Sequence, residues 1–343
     1  MQGLFDLEFH EDKIKEYKSP LSKLNKVIDW ELFRETIETA LYVKPKGAGG
    51  RPPYDKIMMF KILVLQKYYN LSDEQTEFQI NDRTSFRQFL NLEIGDKIPD
   101  EKTVWDFKNK LANHDLSEQL FELFTNRLMA QGIIIKEGSL IDASFVDVPR
   151  QRNSREENDY IKKGAIPTSF GKKDKNDNMS KLSQKDTDAR WMTKSGERHF
   201  GYKDHINADA KTKLITKYSI SSASPHDSTE IENIVDKTDN SLHADSAYRS
   251  KDIETFLGSI NCESFVHEKG YRDNPLTEEQ KKSNKIKSKI RARVEHVFGF
   301  MTNSMNNALY MRSVGIKRIK SSIGFLNLTY NLFRFEQLVR LKH

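Results

Sequence analysis

The sequence predicts an α/β protein in which a mixed sheet with flanking helices follows an all-α amino-terminal domain. Two observations predict this class. Helical periodicity dominates residues 1–130, and from residue 133 apolar strand patterns appear and then alternate with helical ones. At 343 residues the chain exceeds the usual size of one compact domain. We therefore expect a helical domain over residues 1–130 and a sheet-containing domain over residues 131–343.

The amino-terminal domain is expected to consist of short helices. Residues 27–43 have helical periodicity, which the glycines and prolines of KPKGAGGRPPYD then break. Helical spacing of apolar residues returns at Tyr54 and continues in short segments to residue 131. The expected N-caps of these segments are Ser72, Asp82 and Asp100.

Residues 73–92 are a candidate helix-turn-helix. In that arrangement Arg83 and Arg87 would reach phosphates or base edges of DNA. The alternative is a helical packing or dimerisation module, because no helix in this region is strongly basic. The sequence leaves both interpretations open.

The second domain begins with strands. Residues 133–148 predict a hairpin-like pair of apolar runs, and residues 199–224 predict two more strands joined by a polar turn at 210–212. Between them, residues 150–197 are rich in Lys, Asn, Asp and Ser, which predicts a long basic insertion or a mobile loop.

Helices and strands alternate in the rest of the chain. Asp227 and Glu230 fit a helix start, and a long helix is expected over residues 284–301. Between them come a strand in LHADSAY, a helix over 251–257 and a strand in CESFVHE. The resulting order, β-β-β-α-β-α-β-α, matches the ribonuclease H-like arrangement.

The distribution of charge indicates a polyanionic partner. The net charge is only +6, from 56 basic and 50 acidic residues, but residues 281–293 contain seven basic residues and no acidic one. Residues 150–203 contain fourteen basic and eight acidic residues. Such surfaces neutralise phosphates and displace condensed counterions. For either run alone, a solvated helix face or a mobile loop is the competing explanation.

Cysteine content and hydropathy indicate a cytoplasmic protein without membrane contact. Cys262 is the single cysteine, so no internal disulfide can form. The amino terminus has no basic stretch that leads into an apolar run, and Lys61 interrupts the apolar run IMMFKILVL.

Three carboxylates are candidates for a site that holds metal ions against DNA. Asp142 interrupts the apolar strand LIDASFV, where an unpaired carboxylate would be costly to bury. Asp245 ends the strand in LHADSAY, and Glu295 lies in the long basic helix. Mg²⁺ takes oxygen ligands, and a pair of such ions can activate water and stabilise the leaving oxygen of a phosphodiester.

The long helix is expected to bury one face and direct another at the strand ends. Arg291 lies one turn before Glu295, where it can orient the carboxylate and meet a phosphate; an exposed ion pair between them is the alternative. The expected buried stripe is Ile286, Ile290, Val294, Val297 and Met301, and the second face carries Ser288, Arg291, Glu295 and Thr302. Rival or supporting groups are Asp147, Asp204, Asp209 and His243.

Several motifs together resemble the Asp-Asp-Glu transposases of bacterial insertion sequences, of the IS-five type. The motifs run in the family's order from about residue 50 to residue 335. They are GRPPYDKIMMFKILVLQKYYNLSDEQTEFQINDRTSFRQFLNL, IDASFVDVP, DARWMTKSGERHFGYKDHINADAKTKLI, SPHDS, HADSAYRS and RARVEHVFG.

The resemblance implies a fold, a reaction and partners. It implies a ribonuclease H-like catalytic domain that uses Mg²⁺, with Mn²⁺ able to substitute, and a catalytic and metal-binding triad of Asp142, Asp245 and Glu295. The implied activity is cleavage at the terminal inverted repeats of the element and joining of the 3′-hydroxyl to target DNA. The implied active complex is a homodimer on DNA, in the bacterial cytoplasm at the nucleoid. A metal nuclease without strand transfer and a non-catalytic DNA-binding derivative are the alternatives.

Related families carry the signature Y-x2-R-x3-E-x6-K around the glutamate. Arg291 and Glu295 occupy its R and E places, whereas Ser288 and Thr302 stand at its Y and K places. The DNA-end contacts of that tyrosine and lysine therefore do not transfer to this chain. The expected DNA-binding residues are Arg291, Lys287, Lys289 and Arg293.

Overall fold

The structure is a computed structural model, which describes residues 13, 19–44, 47, 52–93, 95–171, 181–194 and 196–342. The chain divides into two compact units. Unit 1 contains residues 1–124, 304–308 and 325–343, and unit 2 contains residues 125–303 and 309–324. The carboxyl-terminal segment thus groups with the amino-terminal helices, whereas the sequence placed everything after residue 131 in one domain.

Unit 1 is helical in its described part. The bounds are α1 Pro20–Val27, a 3-10 turn Trp30–Phe33, α2 Arg34–Ala40, α3 Lys56–Tyr68, α4 Asp73–Asp82, α5 Thr84–Phe89, α6 Glu101–Asn113 and the start of α7 Leu116–Ala130. The helix expected over 27–43 is therefore split. The break expected after it falls largely on residues 45–46 and 48–51, which lie outside the described residues.

Two of the three expected N-caps are present. Ser72 accepts a hydrogen bond from Gln75 N at the start of α4, and Asp100 accepts one from Thr103 N at the start of α6. Asp82 was the wrong choice. It is the last residue of α4, and α5 begins after Arg83 without a side-chain cap.

The candidate helix-turn-helix does not present both of its arginines. Arg87 is buried, with 8% of its surface exposed, and its guanidinium donates to the carbonyl oxygens of Glu93 and Asp96. Arg87 therefore holds the turn after α5 and cannot reach a phosphate. Arg83 lies over the rings of Tyr69 and Phe86, at 5.9 and 5.1 Å.

Helix α3 is the centre of unit 1. Ten of its thirteen residues are buried, so it is enclosed rather than amphipathic. Phe60 packs edge-on against Trp30 and Phe325, with ring centroids at 5.9 and 5.4 Å. Lys61 is also buried in this helix, with its ammonium 4.7 Å from the Phe89 ring.

Unit 2 is built on a mixed sheet. Its strands are β1 Ser139–Asp147, β2 Arg190–Lys194, β3 Glu197–Asp209, β4 Ile215–Ser222, β5 Ser241–His243 and β6 Glu263–Ser264. The long strand β3 pairs antiparallel with β1, β2 and β4, and β5 pairs parallel with both β1 and β6. The sheet path is β2-β3-β1-β5-β6, and β4 also pairs with β3.

Two strand predictions need correction. The first half of the hairpin expected over 133–148 is not a strand, because pairing begins only at Ser139. The region 150–197, expected to be a basic insertion or loop, contains helix α8 Arg155–Lys162, short 3-10 turns and β2. Residues 172–180 and 195 of that region lie outside the described residues.

Helices cover both faces of the sheet. One face of the sheet carries the odd-numbered residues of β1. It is covered by α9 Ile231–Ile234 and α10 Lys251–Ser259, which pack around Ile141, Leu242 and Tyr248. Against the other face lies α11 Glu278–Gly299, which a π-helical turn Phe300–Ser304 extends. The last helix, α12 Ile316–Lys342, runs from unit 2 into unit 1.

The expected apolar stripe of the long helix is only half correct. Val294, Val297 and Met301 are fully buried, but Ile286 is 66% exposed. The helix also starts earlier than expected, at a capping box formed by Thr277 and Gln280. Its basic first half therefore extends away from the core.

In the part of the chain that the structure describes, no helix has the length and apolar content needed to cross a bilayer. Cys262 is buried and unpaired.

Candidate active site

Asp142 lies in the middle of β1 with its side chain on the face covered by α11. The Ala143 N–H donates to its Oδ1 at 2.8 Å, and only 22% of the side chain is exposed. Burial is the main cause that raises the pKa of Asp142 to about 6, against the opposing effects of this hydrogen bond and of Arg291. An acidic group in such surroundings binds a proton or a cation readily.

Asp245 lies beside Asp142 at the end of the neighbouring strand. β1 and β5 are parallel, with Leu140 paired to His243. Asp142 and Asp245 each follow these paired residues by two positions, which places them on the same face of the sheet. Asp245 caps the 3-10 turn Ser246–Tyr248 by accepting from Ala247 N at 2.8 Å, and its charge contributes to the raised pKa of Asp142.

Glu295 approaches these aspartates from α11. Its neighbours Val294 and Val297 are buried, whereas its own side chain is 62% exposed. Arg291 connects it to the sheet. The guanidinium lies 3.0 Å from Glu295 Oε1 through Nη2 and 3.4 Å from Asp142 Oδ2 through Nη1. We call Asp142, Asp245 and Glu295 the carboxylate site.

The four expected DNA-binding residues of α11 differ in their surroundings. Arg291 contacts the carboxylate site. Lys287 donates to the Val266 carbonyl at 2.8 Å and lies 3.4 Å from Glu268, and Arg293 donates to the Ala210 carbonyl at 2.9 Å. Lys289 is exposed and forms no hydrogen bond or ion pair with the described residues.

The rival carboxylates have other structural surroundings. Asp147 belongs to the opposite face of β1, where it lies 3.2 Å from His199 Nδ1 and accepts from Phe200 N. Asp209 is buried and caps the β3–β4 turn by accepting from Thr212 N and Oγ1. Asp204 pairs in register with Ser144 on the Asp142 face, but it is fully buried.

Two residues near the site received no role from the sequence. The Tyr248 hydroxyl is buried without a hydrogen-bond partner among the described residues, and burial followed by the charge of Asp142 raises the pKa of Tyr248 well above its usual value. His267 donates its backbone N–H to the Ala244 carbonyl, and burial and Arg291 lower the pKa of its imidazole. The position of Tyr248 three residues after Asp245 was the available signal.

His243, a suggested supporting group, points to the same face as Asp142. It is 6% exposed, stacks on Phe265 with ring centroids 4.8 Å apart, and has a pKa lowered mainly by burial. A neutral, stacked imidazole at this place packs beneath the site rather than contacting a phosphate.

The departures from the signature around Glu295 have local structural uses. Ser288 donates its hydroxyl to the Asn284 carbonyl and lies 3.4 Å from His267 Nε2. The Thr302 hydroxyl donates to the carbonyl oxygens of Phe298 and Gly299. Both hydroxyls bond to their own helix, as is common for such residues in helix interiors.

The donors of the carboxylate site suit an oxygen-seeking divalent ion, but their arrangement does not. Asp142 and Asp245 share one face, and both offer carboxylate oxygens. Over the described ranges, however, no three His, Cys, Asp or Glu side chains are grouped closely enough to hold a metal ion. The guanidinium of Arg291 lies between Asp142 and Glu295 instead.

The family models and the solved structure to which this chain is similar are all described as transposases. Residues 8–110 match the family model described as a transposase domain (DUF772), and residues 135–332 match the transposase DDE domain. A solved structure described as a cryo-EM structure of piggyBac transposase synaptic complex with hairpin DNA is similar over 96% of this chain and 77% of that chain, with 10% identity and a TM-score of 0.44. Because the DDE domain model matches more than half of its residues, the chain belongs to the transposase DDE domain family.

Proposed function

We propose that this protein is a DNA transposase of the IS-five type. It binds the terminal inverted repeats of its insertion sequence, cleaves them with divalent metal ions, and joins the 3′-hydroxyl end to target DNA. The observation that carries the proposal is the match of residues 135–332 to the transposase DDE domain. Within that domain Arg291 bonds both Asp142 and Glu295, and the pairing of β1 with β5 puts Asp245 on the Asp142 face.

The sheet supports a ribonuclease H-like catalytic core. The path β4-β3-β1-β5-β6 has antiparallel pairs on the β3 side of β1 and parallel pairs on the β5 side. In this arrangement the central strand β1 carries the first aspartate, and the adjacent parallel strand β5 delivers the second. β2 is then an addition at the edge of β3, made by the basic insertion.

The proposed roles of the residues follow from their surroundings. Asp142, Asp245 and Glu295 are the catalytic carboxylates and the ligands of Mg²⁺, or of Mn²⁺ in its place. Such ions, when bound, supply an activated water and stabilise the leaving oxygen. Lys287, Lys289, Arg291 and Arg293 make α11 positive for the DNA backbone, and of the two lysines Lys289 makes the direct phosphate contact.

The active complex is proposed to be a homodimer that pairs two DNA ends in the bacterial cytoplasm, at the nucleoid. Its partners are the terminal repeats and the target DNA. The reaction needs no covalent protein–DNA intermediate, because the released 3′-hydroxyl is itself the nucleophile of the joining step.

A cleavage and joining assay tests the function. Purified protein is incubated with Mg²⁺ and labelled DNA that carries the ends flanking its reading frame. Joined products support transposition, cleavage without joining supports a metal nuclease, and retardation without cutting supports a non-catalytic DNA-binding protein.

Variants test the assignment of the residues. Asp142→Asn, Asp245→Asn and Glu295→Gln should each abolish cleavage and leave DNA retardation intact. Asp147→Asn is the matched control, because Asp147 lies on the same strand as Asp142 but on the opposite face. Full cutting by any of the three variants would remove that residue from the site.

A further inference from the structure

The arrangement of the carboxylate site points to an internal competitor for the metal ion. Arg291 Nη1 lies 3.4 Å from Asp142 Oδ2, and Nη2 of the same guanidinium lies 3.0 Å from Glu295 Oε1. Of the two carboxylates, Asp142 is largely buried and Glu295 is largely exposed, so the guanidinium connects the sheet to the outer surface of α11.

Over the described ranges the three carboxylates form no group of metal ligands, and a guanidinium contacts two of them. A carboxylate that accepts from a guanidinium has its oxygens directed at that guanidinium. In this structure one guanidinium contacts Asp142 Oδ2 and Glu295 Oε1. It thus occupies carboxylate oxygens that an ion would need in order to be held by all three acids.

We infer that Arg291 holds the metal-free state of the carboxylate site and must leave it when a divalent ion binds. A guanidinium and a dication repel each other strongly at the separations possible here, because both would contact the same carboxylate oxygens. Ion binding therefore requires that Arg291 release Asp142 and that Glu295 turn toward the two aspartates. This inference rests on the proposed function, in which the carboxylates are metal ligands.

The released guanidinium has a use on the same helix. Arg291 belongs to the basic run 281–293, and an arginine freed from carboxylates can bind a phosphate with two hydrogen bonds. The other charged groups that act on Asp142 do not replace it: Lys194 has a smaller effect on its pKa and lies 4.0 Å from Asp227, and Asp245 is itself negative. Metal binding and DNA binding are thereby coupled through the Arg291 side chain. Such coupling is reciprocal, so a bound ion raises the affinity for DNA and bound DNA raises the affinity for the ion.

The direct test is Mn²⁺ binding measured by calorimetry on the full chain without DNA. Measurements at about pH 8 keep Asp142 ionised, since its pKa is about 6. Arg291→Gln should bind Mn²⁺ at least about tenfold more tightly than the natural protein, because the competing charge is gone. Arg293→Gln is the matched control; it removes a guanidinium two residues away that bonds a backbone carbonyl instead.

The outcomes separate this inference from the proposed function. If Asp142→Asn loses Mn²⁺ binding while Arg291→Gln binds with unchanged or weaker affinity, the carboxylate site stands and the competitor role of Arg291 is overturned. If Asp142→Asn, Asp245→Asn and Glu295→Gln all bind Mn²⁺ like the natural protein, the metal site fails, and the inference fails with it.

A second measurement tests the coupling to DNA. The affinity for a DNA end is measured with a chelator and then with Ca²⁺, which takes the same oxygen ligands. Arg291→Gln should change the affinity less than about twofold with the chelator and lower it about tenfold with Ca²⁺, where the guanidinium would otherwise be free to bind phosphate. An equal loss in both conditions would show that Arg291 binds DNA independently of the ion and would overturn the exchange.

Discussion

Asp142 on β1 and Asp245 just beyond the parallel strand β5 hold equivalent positions, each two residues after the paired Leu140 and His243. This relationship places two acids on one face in a largely buried setting. Desolvation, and to a smaller extent the charge of Asp245, therefore opposes ionisation of Asp142 and raises its pKa. The consequences extend to stability as well as to chemistry.

The first prediction concerns the pH dependence contributed by Asp142. Its folded-state pKa of about 6 exceeds its ordinary value of 3.8. Between these pH values the folded protein keeps the Asp142 carboxyl protonated, whereas the unfolded chain releases that proton. The free energy of unfolding therefore falls as pH rises from about 4 to 6. Asp142→Asn should raise the free energy of unfolding by up to about 3 kcal/mol above pH 6 and by nothing near pH 4. Urea unfolding at the two pH values checks this.

The control for this prediction is Asp147→Asn, on the opposite face of the same strand. It should show no comparable gain, because Asp147 lies against His199 and accepts from Phe200 N. A loss of stability in Asp142→Asn at neutral pH would mean that the carboxylate is well compensated by Arg291 alone.

Lys61 gives a second pH-dependent prediction with the opposite sign. Burial lowers its pKa to about 8, and its ammonium lies near the rings of Trp30 and Phe89. A lowered lysine pKa means that stability increases as pH rises from about 8 toward the usual value of 10.5. Lys61→Met should therefore stabilise the protein by about 2 to 3 kcal/mol at pH 7.

That gain should shrink when the thermal midpoint is followed upward from pH 8. Lys56→Met, on a partly exposed position of the same helix, is the control and should have little effect. A destabilised Lys61→Met protein would indicate that the cation–ring contacts outweigh the cost of burying the charge.

A buried ion pair supports the 3-10 turn Asp227–Glu230. Lys203 Nζ lies 2.7 Å from Asp227 Oδ1, with 5% and 16% of the two side chains exposed, and also donates to the Pro225 carbonyl. Asp227→Asn would leave the lysine charge buried without its partner. We expect a loss of about 3 to 5 kcal/mol in the free energy of unfolding.

The exposed pair of Lys162 and Asp159, 4.0 Å apart, provides the comparison. Asp159→Asn should change stability by less than about 0.5 kcal/mol in the same urea experiment. If the two substitutions have similar effects, the Lys203–Asp227 pair is not the support for this turn.

The two neighbouring lysines of α11 should behave differently toward DNA. Lys289 is exposed and free of contacts with described residues, whereas Lys287 is held by Val266 and Glu268. Lys289→Gln should reduce the slope of log affinity against log salt by about 0.9, the value for one phosphate contact. Lys287→Gln should leave the slope nearly unchanged, and the reverse result would show that Lys287 exchanges its contacts for DNA.

The sequence indicated on which elements Asp142 and Glu295 lie, because a strand and a long helix each have a local pattern, while the catalytic role of the carboxylates stays a prediction. An aspartate inside an apolar strand, as in LIDASFV, is a strong signal, and the parallel pairing of β1 with β5 follows from the order of elements. The contact of Arg291 with Glu295 follows from their spacing of four residues on one helix. Its contact with Asp142 follows from the approach of α11 to β1.

Other features depended on tertiary contacts that no local pattern reveals. Arg87 looked available for DNA, but its guanidinium is used by two carbonyls of the following turn. β2 was not predicted, because it is an edge strand whose polar residues interrupt the apolar alternation typical of strands. Ile286 shared a helical stripe with Val294, yet the sheet ends before it and leaves it exposed.

The central claim is that three acidic side chains from distant segments hold one divalent-ion site. Iron-dependent cleavage tests it most directly: Fe²⁺ replaces Mg²⁺, ascorbate and peroxide generate radicals at the bound ion, and the cut positions are mapped by mass spectrometry. The account predicts cuts close to Asp142, Asp245 and Glu295 that excess Mg²⁺ suppresses together. Cuts confined to one of these segments, or located elsewhere in the chain, would contradict it.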